Sequence, residues 1–199
     1  MRETSTNATQ LLQAYAQGQR QFCHWNLAHA DLEGADLRDS DLRGACLRAA
    51  NLRGAILDRA ICTCADFRQA DLMQASLSDA VLAYALFEGD LLEEALLRSA
   101  DLTGARLTST NLRWAFLPNA ILVGADLTDA QLEGADLLEV VLGESDREQR
   151  CFQISLPALE GLAEPLAMSE KGKQRFATVV GIEHLPGVWV AELKKKDFH

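Results

Sequence analysis

From Phe22 to Leu142 every fifth residue is Leu or Phe, with Cys62 the one departure. Two residues before almost every one of these stands a small side chain, as at Ala30, Ala35, Ala45, Ala50 and Ala55; the exceptions include Trp25, Asp90, Thr110 and Val140. An α-helix advances about 100° per residue, so steps of five scatter the leucines around the cylinder and build no stripe. A plain strand alternates faces with period two, which sends residues five apart to opposite sides. The chain therefore has to turn once per repeat. A coil of that kind points the Leu and the preceding small residue inward and leaves three positions to solvent. Stacked coils then bury a continuous Leu and Ala column, each repeat touching mainly its neighbours. Aromatic residues make up only 6% of the chain, in keeping with a core filled by Leu and Ala.

Runs such as Ala30-Asp31-Leu32-Glu33-Gly34, Ala50-Asn51-Leu52-Arg53-Gly54 and Ala125-Asp126-Leu127-Thr128-Asp129 resemble the A(D/N)LXX unit of pentapeptide repeat proteins. The resemblance covers residues 20–144. It implies an all-β solenoid, a right-handed quadrilateral β-helix with four pentapeptides per coil, about six coils and a height of roughly 30 Å at the usual strand spacing. The segment LLQAYAQGQRQF is similar to the lead-in of cyanobacterial members of the family. Three units follow: an N-terminal capping helix in 1–19, the repeat column in 20–144 and a C-terminal cap or tail in 145–199.

Both ends of such a column expose unpaired backbone and need covering. Leu11, Leu12 and Tyr15 fall at helical spacing before Gly18, which predicts a short helix over 6–17 lying on the first coil. Trp25 takes the place of a small inward residue and is expected against this cap. After Gly143 the period stops; Ser145 to Glu148 reads as a capping box, and Pro157 and Pro165 bracket a short apolar helix. Phe176–Ile182 and Val188–Leu193 are β-prone runs consistent with a hairpin.

With four repeats to a coil, residues twenty apart stack on one face. The position before each central Leu is usually Asp or Asn, but apolar residues replace it along two lines. One carries Ile61, Val81, Ile121 and Val141, interrupted by Asp101; its neighbour carries Ile56, Leu96 and Phe116, interrupted by Ser76. Pro118, Leu138 and Val123 project near the same two faces, and Trp114 lies close by. An exposed apolar patch of this kind marks an interaction surface. Ile56, Ile61, Val81, Leu96, Trp114, Phe116, Pro118, Ile121, Val123 and Val141 are thus the candidate contact residues. Three occupants suit them: the C-terminal tail folding back, a second copy in a homodimer, or an unrelated protein partner.

The formal net charge is −10. Residues 20–144 hold ten arginines against twenty acids, whereas the tail has eight of each sign, so the excess lies on the column. This excludes direct capture of nucleic acid, which needs clustered cations. Arg38, Arg43, Arg48 and Arg53 ring one early coil, and residues 126–144 carry six acids and no base. Outward charges that merely solubilise the column account for most of this. The alternative is a column that imitates duplex DNA, as in relatives that bind DNA gyrase; the arginine ring and the apolar faces speak against it.

No residues suggest an enzyme: G-x-S-x-G, P-loop and H-E-x-x-H patterns do not occur. Cys62 and Cys64 sit two apart, one inward and one outward, and cannot share a metal; His24 and His29 lack companions at ligand spacing. No cofactor is expected. The first ten residues lack a signal-peptide pattern, no run of apolar residues is long enough to span a membrane, and the five cysteines form no even framework. The expectation is a cytoplasmic, non-catalytic scaffold or regulator that binds another protein through its apolar face or its tail.

Overall fold

The computed structural model describes residues 3–141, 153–154, 177–185 and 188–195. The chain opens with helix α1 (Glu3–Ala16), whose Leu11 and Ala8 are buried against the first coil while Leu12 is exposed. Gly18 ends it with a φ of 92°. Tyr15 ties the helix to the column: its hydroxyl donates to the Arg38 carbonyl at 3.0 Å, and the Arg20 guanidinium lies 3.8 Å from its ring centroid. Trp25 is half-buried, edge-on to Phe22 at 5.2 Å between ring centroids.

From Gln21 onward the chain winds in coils of twenty residues, bridging in parallel from Gln21↔Asp41 to Ile121↔Val141. The expected all-β solenoid, a right-handed quadrilateral β-helix, is corrected here. Among the described residues of the column the bridges are isolated single-residue contacts, and the one regular strand is the two-residue β1 (Asp126–Leu127). The reason is the period itself. A turn every five residues leaves one bridging residue between corners, too few to extend into a strand. Regular strand is concentrated in the C-terminal region: β2 (Gln153–Ile154) pairs parallel with β1, and β3 (Ala177–Leu185) pairs antiparallel with β4 (Val188–Lys195), giving the order β1-β2-β4-β3. The predicted helices of the tail lie outside the described residues.

Four backbone positions of each repeat are served by the fold itself. The Leu32 amide donates to Asn51 O at 2.8 Å, Asn51 N to Ala30 O at 2.9 Å, and Gly34 N to Arg53 O at 2.8 Å. The Ala35 amide closes the corner on Leu32 O at 3.0 Å. The fifth amide, just after the central Leu, has no carbonyl within the ladder. Its acceptor is the Asp or Asn two residues earlier: Arg38 N donates to Asp36 Oδ1 at 3.2 Å, Met73 N to Asp71 Oδ1 at 3.1 Å, and Thr103 N to Asp101 Oδ1 at 3.0 Å. This is the physical basis of the D/N in the repeat, since a short carboxylate or amide reaches its own backbone two residues on.

Each corner places its second residue at positive φ, glycine or not: Asp39, Arg59, Tyr84, Trp114 and Asn119 all lie near 60°. A side chain in that region is strained by on the order of 1 kcal/mol, and the next coil's hydrogen bonds hold it there. Three aromatic corners have a second feature. A Cβ added to Gly44, Gly104 or Gly134 would run into the ring of His24, Tyr84 or Trp114 respectively. Each ring therefore rests on the bare backbone of the glycine twenty residues later. Gly124, by contrast, has open space around it.

The core is the predicted column: Leu27, Leu47, Phe67, Phe87 and Leu107 stack along one line with Ala45, Ala65 and Ala85 beside them, all 1% exposed or less. Phe67 and Phe87 stack face to face at 4.9 Å.

Two outcomes test these rules. Asp101→Ala removes the acceptor of the Thr103 amide and of its hydroxyl, and is expected to lower stability by about 1 kcal/mol in urea unfolding. Gly134→Ala is expected to lower it further than Gly124→Ala and to shift Trp114 fluorescence, because only the former lifts an indole off its seat; equal losses and unchanged emission would refute the seat.

Candidate interaction surface

The coil geometry brings the two apolar lines together. Ile61 bridges Val81, Val81 bridges Asp101, Asp101 bridges Ile121, and Ile121 bridges Val141. On the neighbouring face Ile56, Ser76, Leu96, Phe116 and Asp136 bridge in that order. Ile61, Leu96, Phe116 and Val141 are exposed, from 39% to 47%, while Ile56, Val81, Ile121 and Val123 are half-buried. Trp114 is 57% exposed at the corner before Phe116. Leu138 is exposed at the corner after Phe116, one coil later in the chain. The surface is thus continuous around Phe116 and divided from Ile61 and Val81 by Asp101.

Pro118 does not project as the sequence suggested: it is buried. Its position explains its identity. It occupies the place after the central Leu117, where the amide needs an acceptor from the residue two before, and that residue is Phe116. A proline has no amide to satisfy, and its fixed φ suits the first corner residue. The other apolar replacements leave the same amide without its usual side-chain acceptor: Thr63 follows Ile61, Arg98 follows Leu96, and Val123 follows Ile121. The apolar lines therefore forgo a stabilising contact that Asp would supply.

Two further apolar groups were not among the sequence candidates. Leu91, 41% exposed, stands on a third face between Asp71 and Asn111, away from the two lines. Tyr84, 60% exposed, flanks the face of Val81 at the next corner. Tyr84 and Trp114 are both held by the aromatic-over-glycine seat, and the spacing of an aromatic corner residue with Gly twenty later signals it in the sequence.

The β2 pairing bears on what covers the surface. Gln153 and Ile154 continue the line Asp66, Leu86, Arg106, Asp126, where a regular coil would have placed residue 146. The contact made by this part of the tail is with the end of a different face, not with Phe116 or Ile121.

Among the described residues most arginines of the column are paired, while most of its acids are not. Arg38 meets Asp36 at 2.6 Å, Arg43 meets Asp41 at 2.5 Å, Arg53 meets Asp71 at 3.1 Å and Arg68 meets Asp66 at 2.7 Å. The hydrogen bond from Arg38 draws the Asp36 carboxyl down to about 2, and that from Arg43 draws Asp41 lower still. Of the four arginines of the early ring, Arg38, Arg43 and Arg53 are thus engaged by carboxylates, and Arg48 has no ion pair among the described residues. Such exposed pairs add little stability, and each neutralises one arginine and one carboxylate together.

Cys62 is fully buried, and burial pushes its thiol up to about 12; it fills the place of a leucine. Among the described residues no group of His, Cys, Asp and Glu is arranged to hold a metal.

The pentapeptide repeat family model matches in 8 copies, over residues 26–59, 35–74, 60–89, 75–113 and 105–143. No curated protein matches the chain. Similar solved structures include the pentapeptide repeat protein Rfr23 from the cyanobacterium Cyanothece 51142, 26% identical over 70% of this chain and 95% of that one, with a TM-score of 0.49. HetL, involved in heterocyst differentiation regulation in the cyanobacterium Nostoc sp. strain PCC 7120, is 28% identical over 68% and 94%, with a TM-score of 0.31. QnrB1, a plasmid-mediated fluoroquinolone resistance protein, is 17% identical over 74% and 90%, with a TM-score of 0.35. With its A(D/N)LXX units matched from residue 26 to residue 143, the chain belongs to the pentapeptide repeat family.

Proposed function

We propose that this protein is a non-catalytic binding protein whose apolar surface around Phe116, with Leu96, Trp114, Leu138, Ile121 and Val141, receives a protein partner. The observation that carries it is the substitution of Asp or Asn by exposed apolar residues at positions where Asp would satisfy a backbone amide. Such replacements weaken the column locally and place apolar area in water, and burial against a partner offsets both. The family and the lack of a metal-ligating group among the described residues are consistent with a protein that is not an enzyme. Among the described residues no helix is long and apolar enough to cross a membrane. A cytoplasmic setting belongs to the proposal, on the strength of the free thiols of Cys23, Cys46, Cys62 and Cys64.

A second reading is favoured by the ion pairs. With Arg38, Arg43 and Arg53 engaged by carboxylates, most of the early arginine ring is neutral rather than cationic, and the excess of acids behind the net charge of −10 lies on the rest of the column. An acidic column of this kind suits mimicry of duplex DNA before a topoisomerase.

Ile121→Asp and Phe116→Asp test the first reading. Both restore the residue type usual at their positions, so the fold is expected to persist, with circular dichroism and unfolding midpoint near those of the parent protein. Affinity capture from the native cell is expected to lose a specific partner with both variants. An unchanged set of captured proteins would refute the apolar site. For the second reading, purified gyrase is assayed for supercoiling in the presence of the protein: inhibition or protection at modest molar excess supports mimicry, and no effect at high excess rules it out.

A further inference from the structure

Asp90 stands at an inward position that carries Ala in most repeats, and it is 1% exposed. Along its line Ala70 lies one coil before and Thr110 one coil after. Asp90 Oδ1 accepts the Ala70 amide at 3.2 Å, an amide already donating to Phe67 O at 2.7 Å. Among the described residues Asp90 Oδ2 has no hydrogen-bond partner. The buried Thr110 hydroxyl is turned elsewhere, to Phe87 O at 2.6 Å.

The ladder is longest at this rung. On the same face the bonds Asn51 N to Ala30 O, Asp71 N to Ala50 O, Asn111 N to Asp90 O and Gln131 N to Thr110 O measure 2.9 to 3.0 Å, whereas Leu91 N to Ala70 O is 3.3 Å. At the preceding corner Gly89 N to Thr108 O is 3.2 Å. The charged groups acting on Asp90 are acidic, Asp66 and Glu88. Their own cations are committed, Arg68 to Asp66 and Arg106 to Glu88, and no ion pair reaches Asp90 among the described residues. A carboxylate so placed is shut from bulk solvent and, among the described residues, has no cation beside it and one oxygen without a hydrogen bond, while a protonated carboxyl has less charge to stabilise.

We propose that the Asp90 rung is a proton-dependent joint in the column, closed while the carboxyl is protonated and loosened there when it ionises. Burial first, and then the neighbouring Asp66 and Glu88, push the carboxyl up to about 8 against the opposing amides of Ala70 and Gln69. The folded state therefore holds a proton that the opened state releases. Its contribution to stability is full below the ordinary carboxyl value of 3.8, declines as pH rises, and levels off above about 8. Opening at this rung would uncover Phe87 and Leu92, next to the exposed Leu91.

Amide hydrogen exchange on the full chain, corrected for the intrinsic pH dependence, tests the joint at Ala70, Leu91 and Asn111. Opening at these amides is expected to rise by up to about tenfold per pH unit between pH 6 and 8, and to flatten above. Asp90→Asn is expected to abolish that slope. Asp90→Ala, which installs the repeat's usual residue, is expected to do the same and to raise the urea midpoint, and it decides the matter should Asp90→Asn not fold. The proposal is overturned if Asp90→Ala keeps the parent slope, or if the Asp90 carboxyl resonance titrates below pH 5.

Discussion

The column rests on one backbone requirement: every amide of a five-residue repeat must find an acceptor although the chain turns too often to make strands. Three amides are satisfied by coils above and below, one by the corner, and the last by the Asp or Asn that precedes the central Leu. The Leu and Ala core follows from this arrangement, because the same corners that break the strand aim two of five side chains inward. Positive φ at each corner, tolerated even by Arg59 and Trp114, is the conformational strain that the inter-coil bonds hold in place.

That requirement also shows where the surface departs from solubility alone. Where Asp is kept, as at Asp36, Asp71 and Asp101, the outward position serves the backbone and also engages Arg38, Arg53 and the Thr103 hydroxyl. Where it is replaced, as at Ile61, Leu96, Phe116 and Ile121, the backbone loses an acceptor and the side chain contributes nothing to the core. Pro118 marks the one place where the chain accommodates the loss locally, by removing the amide. The cluster around Phe116 is thus distinguished by what the repeat forgoes there as well as by its exposure.

Much of this was legible in the residues. The five-residue period specified the inward Leu and Ala, and steps of twenty grouped Ile61 with Val81 and Leu96 with Phe116, because stacking is a property of the period. The α1 helix was legible from Leu11, Tyr15 and Gly18, although it begins earlier than the periodicity indicated. The extent of regular strand was not, because the resemblance supplied a strand-built architecture while the actual bridges are one residue long. Tyr84 stands at a corner and not at the position before a central Leu, so its exposure is legible only from its pairing with Gly104 one coil later.

The sequence by itself determined the repeat, the identity of the core and the faces on which apolar residues line up, since each depends only on spacing. Tertiary structure alone decided how these groups are satisfied. It showed that Arg38, Arg43 and Arg53 of the arginine ring are engaged in ion pairs, that Pro118 is buried while Trp114 and Leu138 are exposed, and that β2 continues the line of Asp126 rather than covering Phe116. It also showed that Asp90, an exception to the small-residue rule, lies inside the column with one oxygen that has no hydrogen-bond partner among the described residues. Those outcomes depend on distances in space, set by the corner that brings Arg38 back onto Asp36 and by the stacking of coils that brings residues about twenty apart together, and spacing along the chain does not fix them.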